Sequence, residues 1–291
     1  MRRVVSCLIL ILSLTIAGTG DACTIFNASR GGVVLVGNNE DWHYSTNPKV
    51  WFEPKTEKSH GRMLFGWDQM LFVPFAQGGM NDQGLFFDWA WCPEARIFSL
   101  SSLWPSVHYF FNSDKLLADC ATVEEALAWL GNYKKLYTTS HMMLVDKGGN
   151  SAVVEWVHGE QRIIRKTGDY QVMTNFWLSQ PDLGQRSIER RDIDRYDTVD
   201  NVLKSGTALS RRLFSSILQN VSLYGRSEKD KEVGTLYSNV YNLKTGDVTI
   251  YYKRDFKNAV TINLKDQLKK GRHSYELKDL FSKDKSKRVT P

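Results

Sequence analysis

The chain has 291 residues, of which 42% are hydrophobic and 24% are charged, and its formal net charge is +6. This length allows one large hydrophobic core, organised as one or two domains. The positive charge is scattered and lacks the aromatic-flanked cluster of a nucleic-acid-binding surface, so we predict no nucleic-acid partner. Basic residues are densest near the C-terminus, which we interpret as a solvated tail, with weak attraction to an anionic envelope surface as the alternative: Lys269, Lys270, Lys283, Lys285, Lys287 and Arg288.

The first 22 residues have the pattern of a secretory signal peptide. Two arginines precede an apolar run from Val4 to about Ala17, and small residues follow at Gly20 and Ala22, the positions that a signal peptidase reads. This run is shorter than the about 20 residues that cross a bilayer. No later segment is a long, uninterrupted apolar run. We therefore predict an exported protein, secreted or periplasmic, without an integral membrane span.

Cleavage after Ala22 makes Cys23 the first residue of the mature chain. Its thiol and its new α-amine have reference pKa values of about 8.5 and about 8, so both groups titrate near neutral pH. An N-terminal amine that activates its own side-chain nucleophile is a known catalytic arrangement. A lipidated cysteine and a structural cysteine are the alternatives, although Gly20 and Asp21 match a lipoprotein signal poorly.

Two further cysteines follow in the exported part of the chain. If a disulfide forms, the pair Cys92–Cys120 leaves Cys23 free, and two buried thiols are the alternative. The six histidines are isolated, and the sequence has no CxxC motif. We therefore expect no structural zinc site.

The exported chain begins with a predicted β-hairpin. Thr24 starts a first strand, a glycine turn follows, and the β-branched run Val33–Val36 ends at Gly37. This hairpin places Cys23 at the start of a strand.

A second predicted strand pair follows a long polar and aromatic stretch. The apolar run Met70–Ala76 is expected to stop at Gly78 and Gly79. Residues 80–84 then form a turn before the strand Leu85–Phe87.

The clearest helix covers Thr122–Leu130. Thr122 and Glu125 have the spacing of a capping box, and Ala126, Leu127 and Leu130 supply an apolar stripe. A hairpin follows over 141–156, with its turn at Gly148 and Gly149.

The remaining elements complete the pattern of an α+β fold. A strand over 171–174 runs into Asn175, charged helices cover about 186–205 and 207–221, and two strands, Gly234–Asn242 and Asp247–Tyr252, follow. We find no repeat and no break in composition, and strands that do not alternate regularly with helices favour α+β. The predicted organisation is a signal peptide (1–22), one domain (23–265) and a lysine-rich, partly disordered tail (266–291).

Two polar side chains next to predicted strands are candidates for catalysis. Asp41, which follows the first hairpin, is expected to accept a hydrogen bond from the Cys23 amine; an ordinary turn or helix-capping residue is the alternative. Asn175 is expected to donate a hydrogen bond to an oxyanion. Losing such a donor raises the activation free energy by roughly 3–4 kcal/mol. Its alternative role is to tolerate unusual backbone angles at a strand end.

Arg195 lies on a charged helical stretch. Its fixed charge is expected to lower the pKa of the Cys23 thiol. A surface ion pair with a neighbouring aspartate is the alternative, and Arg211 and Arg212 compete for the same role.

Aromatic residues are concentrated between Trp42 and Phe111. Six of the nine tryptophans in the chain lie there, and most of them must be in the core. We expect a subset to line an apolar pocket beside the nucleophile and to favour an aromatic or fatty acyl group. The candidates for substrate binding are Trp42, Phe87, Trp89 and Trp91.

The order of several short motifs resembles the cholylglycine hydrolase family, which contains bile salt hydrolases and penicillin V acylases and belongs to the N-terminal nucleophile hydrolases. The resemblance extends from Cys23 to about residue 255. It is carried by Cys23-Thr24, Gly37-Asn38-Asn39-Glu40-Asp41, Gly79-Met80-Asn81-Asp82-Gln83-Gly84-Leu85, Thr174-Asn175, Asp194-Arg195-Tyr196 and Thr235-Leu236-Tyr237-Ser238.

This resemblance implies a four-layer αββα fold in which two stacked antiparallel sheets lie between layers of helices. It implies that Cys23 is both nucleophile and base, that Asp41 orients the amine, that Asn175 belongs to the oxyanion hole, and that Arg195 is the charged partner of the site. It also implies that no metal or organic cofactor is needed and that the protein can form a homo-oligomer.

Two positions depart from the family pattern. The family usually has arginine where this chain has Asn38, and bile salt hydrolases have an oxyanion asparagine where this chain has Trp91. These departures argue against a bile-salt substrate and leave the second oxyanion donor unassigned.

Together the residues and the resemblance predict an exported cysteine amidohydrolase. Its substrates would be linear amides of N-acylated small molecules, such as penicillin V, N-acyl amino acids, acyl homoserine lactones or bile salts. A related acyltransferase, and an inactive binding or envelope protein on the same scaffold, are the alternatives.

Overall fold

The computed structural model of the protein describes residues 23–68, 74–92, 113–132, 140–157, 160–182, 190–226 and 231–282. The predicted signal peptide, residues 1–22, lies outside the described residues. Residues 70–73 of the predicted strand Met70–Ala76 and residues 283–291 of the predicted tail lie outside them too. In the part of the chain that is described, no helix is long and apolar enough to cross a membrane.

Seven strands of the described chain form the first sheet. They are β1 Thr24–Arg30, β2 Val33–His43, β10 Tyr170–Met173, β11 Tyr224–Arg226, β12 Glu232–Asn242, β13 Asp247–Tyr252 and β14 Val260–Asn263. Their order is β10-β1-β2-β12-β13-β14, with β11 paired to β12, and neighbours are antiparallel. The predicted first hairpin, β1–β2, is confirmed and occupies the middle of this sheet.

Eight strands of the described chain form the second sheet. They are β3 Lys49–Glu53, β4 Arg62–Asp68, β5 Pro74–Asn81, β6 Phe86–Trp91, β7 Ser140–Val145, β8 Ser151–Val157, β9 Glu160–Arg165 and β15 His273–Glu276. Their order is β15-β3-β4-β5-β6-β7-β8-β9, and neighbours are again antiparallel. The predicted hairpin over 141–156 is confirmed as β7–β8.

Six helices occur in the described residues. Two of them lie between β6 and β7 in the chain, and two lie between β10 and β11. The six helices are α1 Ser113–Asp119, α2 Val123–Gly131, α3 Arg190–Lys204, α4 Arg211–Asn220, α5 Leu264–Leu268 and α6 Leu277–Leu280. Helix α2 begins as its sequence predicts, because the Thr122 hydroxyl accepts a hydrogen bond from the Glu125 N–H at 3.2 Å. The Glu125 carboxylate in turn accepts from the Ala121 N–H at 2.7 Å, so both partners satisfy exposed donors at the helix start.

The predicted four-layer architecture is confirmed by the three largest buried clusters. The first lies between the sheets and contains Val36 and Ile250 from one and Phe65 from the other. The second packs α1 and α2 on the outer face of the second sheet. The third packs α3 and α4 on the outer face of the first sheet. Most strands are therefore buried on both faces, and each large apolar side chain contributes about 1.5–3 kcal/mol by leaving water.

The predicted end of the strand at Gly78 and Gly79 is wrong. Strand β5 continues through both glycines to Asn81, opposite β4 and β6. A β-carbon on Gly78 would lie 2.4 Å from a carboxylate oxygen of Asp88, and one on Gly79 would lie 2.3 Å from the Met63 carbonyl oxygen. These glycines are required by close packing inside the sheet and do not end the strand.

The predicted boundary between domain and tail at residue 265 is also wrong for residues 266–282. Strand β15 pairs with β3, and Leu277 and Leu280 of α6 are fully buried in the inter-sheet core. The lysines of this region lie on the exposed side of folded elements. The sequence suggested a tail because lysines are frequent in this region and its few apolar residues are widely spaced.

Cys92 and Cys120 are separate buried thiols. Cys120 packs under α1 and α2, whereas Cys92 packs with Val157 and Trp177. Of the two sequence-based alternatives, the structure therefore has the unpaired thiols.

Candidate active site

The candidate residues come together at one end of the first sheet. Cys23 immediately precedes β1, the central of three neighbouring strands. On one side Thr24 pairs with Asn39 of β2, and on the other Ile25 pairs with Met173 of β10. The start of β1 therefore lies beside the end of β2, which carries Asp41, and beside the end of β10, which leads into Asn175.

Arg195 connects these three strand ends from α3. Its Nη1 donates to the hydroxyl of Thr24 at 2.7 Å and to Oδ2 of Asp41 at 3.4 Å. Its Nη2 donates to Oδ1 of Asn175 and to Oδ1 of Asp192, both at 2.7 Å. The guanidinium group is buried, so the alternative of a surface ion pair does not apply.

The competing arginines lie elsewhere. Arg211 and Arg212 are exposed at the start of α4. Of the three arginines, Arg195 is therefore the one that contacts Asp41 and Asn175, and the acid three residues before it, Asp192, pairs with its Nη2 by an i, i+3 contact.

Asp41 is buried and points towards Arg195. The Thr235 hydroxyl donates a short hydrogen bond to its Oδ1. Burial raises the pKa of Asp41 to about 7, although Arg195 and Thr235 act to lower it. The carboxyl group therefore titrates near neutral pH, where its ability to accept a hydrogen bond from an amine changes.

The Cys23 thiol faces the opposite side of the first sheet. It belongs to the inter-sheet core, together with Val34 and Val36 of β2. Because side chains alternate along a strand, Asn38 and Glu40 share that face, whereas Asp41 faces α3. The thiol donates to Oε1 of Glu40 at a sulfur–oxygen distance of 3.6 Å.

Asn38 contacts a buried acid of the second sheet. Its Nδ2 donates to Oδ2 of Asp88, and the Trp89 N–H donates to Oδ1 of the same carboxyl group at 2.8 Å. The Asp88 side chain occupies the space left open by Gly78 on the neighbouring strand. Asn38, at the position where the family usually has arginine, thus bridges the two sheets through an acid.

The pKa of the Cys23 thiol is raised well above its usual value. Burial is the main cause, followed by the charges of Glu40 and Asp41, and only the Asp41 backbone N–H acts in the other direction among these neighbours. Arg195 is not among the largest influences on this pKa, so its predicted effect on the thiol stays a prediction. Its charge is directed at Asp41 and Asp192 on the other face of the sheet.

Asn175 is held in one orientation. Its Oδ1 accepts from Arg195 and its Nδ2 donates to the backbone carbonyl of Trp91 at 2.9 Å. These two contacts bring Asn175 next to the position that departs from the bile salt hydrolase pattern. Its role as an oxyanion donor remains a prediction.

A buried histidine–glutamate pair supports the strand end that carries Asn175. His141 Nε2 lies 2.7 Å from the Thr174 carbonyl oxygen, and its Nδ1 lies 3.3 Å from Oε1 of Glu155. Burial acts to raise the pKa of Glu155, but hydrogen bonds from His141 and Ser179 outweigh it and lower the pKa. The pair fixes the backbone directly before Asn175.

Only one of the four predicted substrate-binding aromatics lies on the thiol face. Trp42 follows Glu40 by two residues, packs on the inter-sheet core and stacks on Trp67. Phe87 and Trp89 instead pack beneath α1 and α2 on the outer face of the second sheet, so their assignment was wrong.

The fourth, Trp91, contacts Asn175 through its backbone. Its side chain is on the same face of β6 as those of Phe87 and Trp89, which is the outer face of the second sheet. Its carbonyl oxygen accepts the hydrogen bond from Nδ2 of Asn175.

Sequence reasoning missed two acids on the thiol side of the sheet, Glu40 and Asp88. Glu40 belongs to the motif that identified Asp41, and strand alternation alone places it on the other face. Asp88 had no sequence signal, because its position next to Asn38 depends on how the two sheets stack. Within the described ranges, no group of three or more histidine, cysteine, aspartate or glutamate residues is arranged to hold a metal ion.

Known proteins with similar sequences and folds share this architecture. Residues 28–256 match the family described as acyl-coenzyme A:6-aminopenicillanic acid acyl-transferase. Penicillin V acylase from Pectobacterium atrosepticum is 23% identical over 281 residues, which cover 81% of this chain and 73% of that protein.

Two solved structures show the same fold. A variant of conjugated bile acid hydrolase from Clostridium perfringens superimposes with a TM-score of 0.66 at 20% identity, covering 87% of this chain and 97% of the other. Penicillin V acylase from Agrobacterium tumefaciens has the same TM-score and identity, covering 88% of this chain and 91% of the other. The overall fold is therefore similar to that of these two proteins.

Proposed function

This chain belongs to the acyl-coenzyme A:6-aminopenicillanic acid acyl-transferase family, and we propose that it is an exported cysteine amidohydrolase that cleaves linear amides of N-acylated small molecules. The penicillin V acylase relative supports hydrolysis of carbon–nitrogen bonds. The observation that carries the proposal is the Arg195 network, which joins Thr24, Asp41 and Asn175 around the start of β1. Cys23 directly precedes Thr24, the residue of β1 that Arg195 contacts, and its thiol lies on the other face of the sheet.

The reaction proceeds through an acyl-thioester on Cys23. Sγ attacks the amide carbonyl carbon, and the thiol proton passes to the α-amine that export exposes. Asn175 stabilises the oxyanion as the tetrahedral intermediate forms. The protonated amine then donates to the leaving nitrogen as the C–N bond breaks, and water hydrolyses the thioester to a carboxylic acid and the free thiol.

The acyl group is apolar in this proposal. Trp42 lies on the thiol face, partly buried against the inter-sheet core, and its stacking on Trp67 gives a flat apolar surface on the same side of the sheet as the sulfur. Such a surface fits an aromatic or fatty acyl chain. Penicillin V, N-acyl amino acids and acyl homoserine lactones are the substrates to compare first.

The test is hydrolysis by the mature protein, secreted with its own leader and checked by intact mass for an N-terminal Cys23. Cys23→Ala should abolish release of amine from every active substrate while the melting temperature stays close to that of the wild type. Cys120→Ala, which changes another buried thiol beneath α1 and α2, is the matched control and should retain activity.

A second measurement concerns the free α-amine. A form that keeps residues before Cys23 should be inactive, because its amine is then an amide. Full activity of Cys23→Ala, or of a protein that retains Met1, would contradict the proposal. Inactivity of the mature protein on all substrates would favour the inactive-scaffold alternative.

A related acyltransferase is the second candidate, and the description of the matching family favours it. In that reaction an amine instead of water resolves the thioester. Incubation of the mature enzyme with substrate and an added amine separates the two: a new amide is the acyltransferase product, and the free acid is the hydrolase product.

A further inference from the structure

We propose that Glu40 is a further catalytic residue, which takes the proton from the Cys23 thiol during attack and passes it to the α-amine of the same residue. This assignment deepens the proposed function and rests on it. It stands on a direct contact, since the thiol of Cys23 donates to Oε1 of Glu40 at 3.6 Å and both side chains are buried. A cysteine has one thiol hydrogen, and in this arrangement that hydrogen points to the carboxylate.

The backbone holds this contact in place. Thr24 of β1 pairs with Asn39 of β2, so the residues that precede and follow them, Cys23 and Glu40, are neighbours at the same sheet end. On its other side Glu40 pairs with Tyr237 of β12. Glu40 therefore sits on a central strand between two others, where a carboxylate is positioned more rigidly than on a loop.

The groups that face Glu40 and the thiol are acids and phenols. Asp88 comes from β6, Tyr237 and Tyr241 come from β12, and Asp41 is adjacent with Arg195 behind it. Asn38, at the position where the cholylglycine hydrolase pattern usually has arginine, is hydrogen-bonded to Asp88. Burial and the neighbouring carboxylates raise the pKa of Cys23, so the thiol is protonated at rest.

A protonated thiol needs a base at the moment of attack. In the step that we assign, the S–H bond breaks as Sγ bonds to the substrate carbonyl carbon, and the proton moves to Oε1 of Glu40. Glu40 then returns to its carboxylate form by giving that proton to the neutral α-amine. The resulting ammonium group protonates the leaving nitrogen, so the relay is restored without any other reactant.

The test compares Glu40→Gln with the wild type in the mature enzyme. Glutamine keeps the size and an acceptor oxygen for the thiol but cannot take up a proton. Proton transfer by a positioned side chain contributes about 10²–10⁴-fold, so kcat/KM should fall by about 10²-fold or more. Asp88→Asn, which removes an acid that does not contact the thiol, is the matched control and should cause a much smaller loss.

A second readout separates proton transfer from electrostatics alone. Removing the charge of Glu40 should lower the pKa of the thiol, so alkylation of Cys23 by iodoacetamide, located by mass spectrometry, should become faster at a fixed pH in Glu40→Gln. The relay therefore predicts opposite signs: faster alkylation and slower turnover. Faster alkylation with equal or faster turnover would overturn it.

The failure of this relay is distinguishable from failure of the proposed function. If Cys23→Ala is inactive while Glu40→Gln is fully active, only the relay is wrong. If Cys23→Ala is itself active, the proposed function is wrong. Should Glu40→Gln not fold, the shorter pair Glu40→Asp and Glu40→Asn repeats the comparison, and equal activity of the two would overturn the relay.

Discussion

Replacing Arg195 by methionine should both destabilise the protein and change how its stability depends on pH. The guanidinium group is buried and contacts two buried acids, Asp41 and Asp192. Removing one partner of a buried ion pair costs about 3–5 kcal/mol of unfolding free energy, because the remaining charge is left without compensation. The loss of the contacts to Thr24 and Asn175 should add inactivity at every pH.

The pH dependence follows from Asp41. In the wild type its folded-state pKa is about 7, above the about 3.9 of an unfolded aspartate, so stability falls as pH rises between these values and then becomes constant. Arg195 is the largest influence that lowers this pKa. Without Arg195 the folded-state pKa rises further, so the variant keeps losing stability above pH 7.

The stability gap between the two proteins should therefore widen above pH 7. The slope is about 1.4 kcal/mol per pH unit, up to the new pKa of Asp41. Urea unfolding at a series of pH values from 6 to 9 measures this gap directly. Arg212→Met, at an exposed arginine of α4, is the control and should change stability by less than about 0.5 kcal/mol. A gap that stays constant with pH would refute the idea that Arg195 holds down the pKa of Asp41.

Two further predictions concern the substrate pocket and the folding of α2. Trp42→Ala should raise KM for an apolar acyl substrate. Trp89→Ala should leave KM unchanged and lower the free energy of unfolding by about 3–5 kcal/mol, because Trp89 is a core residue on the outer face of the second sheet. Equal effects of the two variants on KM would contradict the assigned faces. Thr122→Ala should cost about 1 kcal/mol in urea unfolding without affecting turnover, since it removes only the helix cap; an unchanged midpoint would mean that the cap contributes nothing.

Several parts of the fold were predictable because their signals are local. The capping box at Thr122, the hairpin turn at Gly149 and the two charged helices depend on residues a few positions apart, and the structure has all of them. The order of the motifs added the layering, which local patterns do not contain. Arg195 could be chosen over Arg211 and Arg212 only through that order.

The wrong predictions concern residues whose structural role depends on a partner that is distant in the sequence. Gly78 and Gly79 resemble a strand end in sequence, but they are required by the closeness of Asp88 and Met63 on neighbouring strands. The lysine-rich segment after residue 265 resembles a tail, but β15 finds its partner in β3, more than two hundred residues earlier. No local pattern carries this information.

The sequence by itself predicted that Cys23 lies at the start of a strand, and it selected Asp41, Asn175 and Arg195 as the candidate residues of the same site. What only the tertiary structure decided is the face on which each residue acts. Strand β2 is buried on both faces, because the second sheet covers one and helices cover the other. Its sequence therefore shows no alternation of polar and apolar residues that would tell one face from the other. Asp41 therefore meets Arg195 on one face, while Glu40, one residue earlier, meets the thiol on the other.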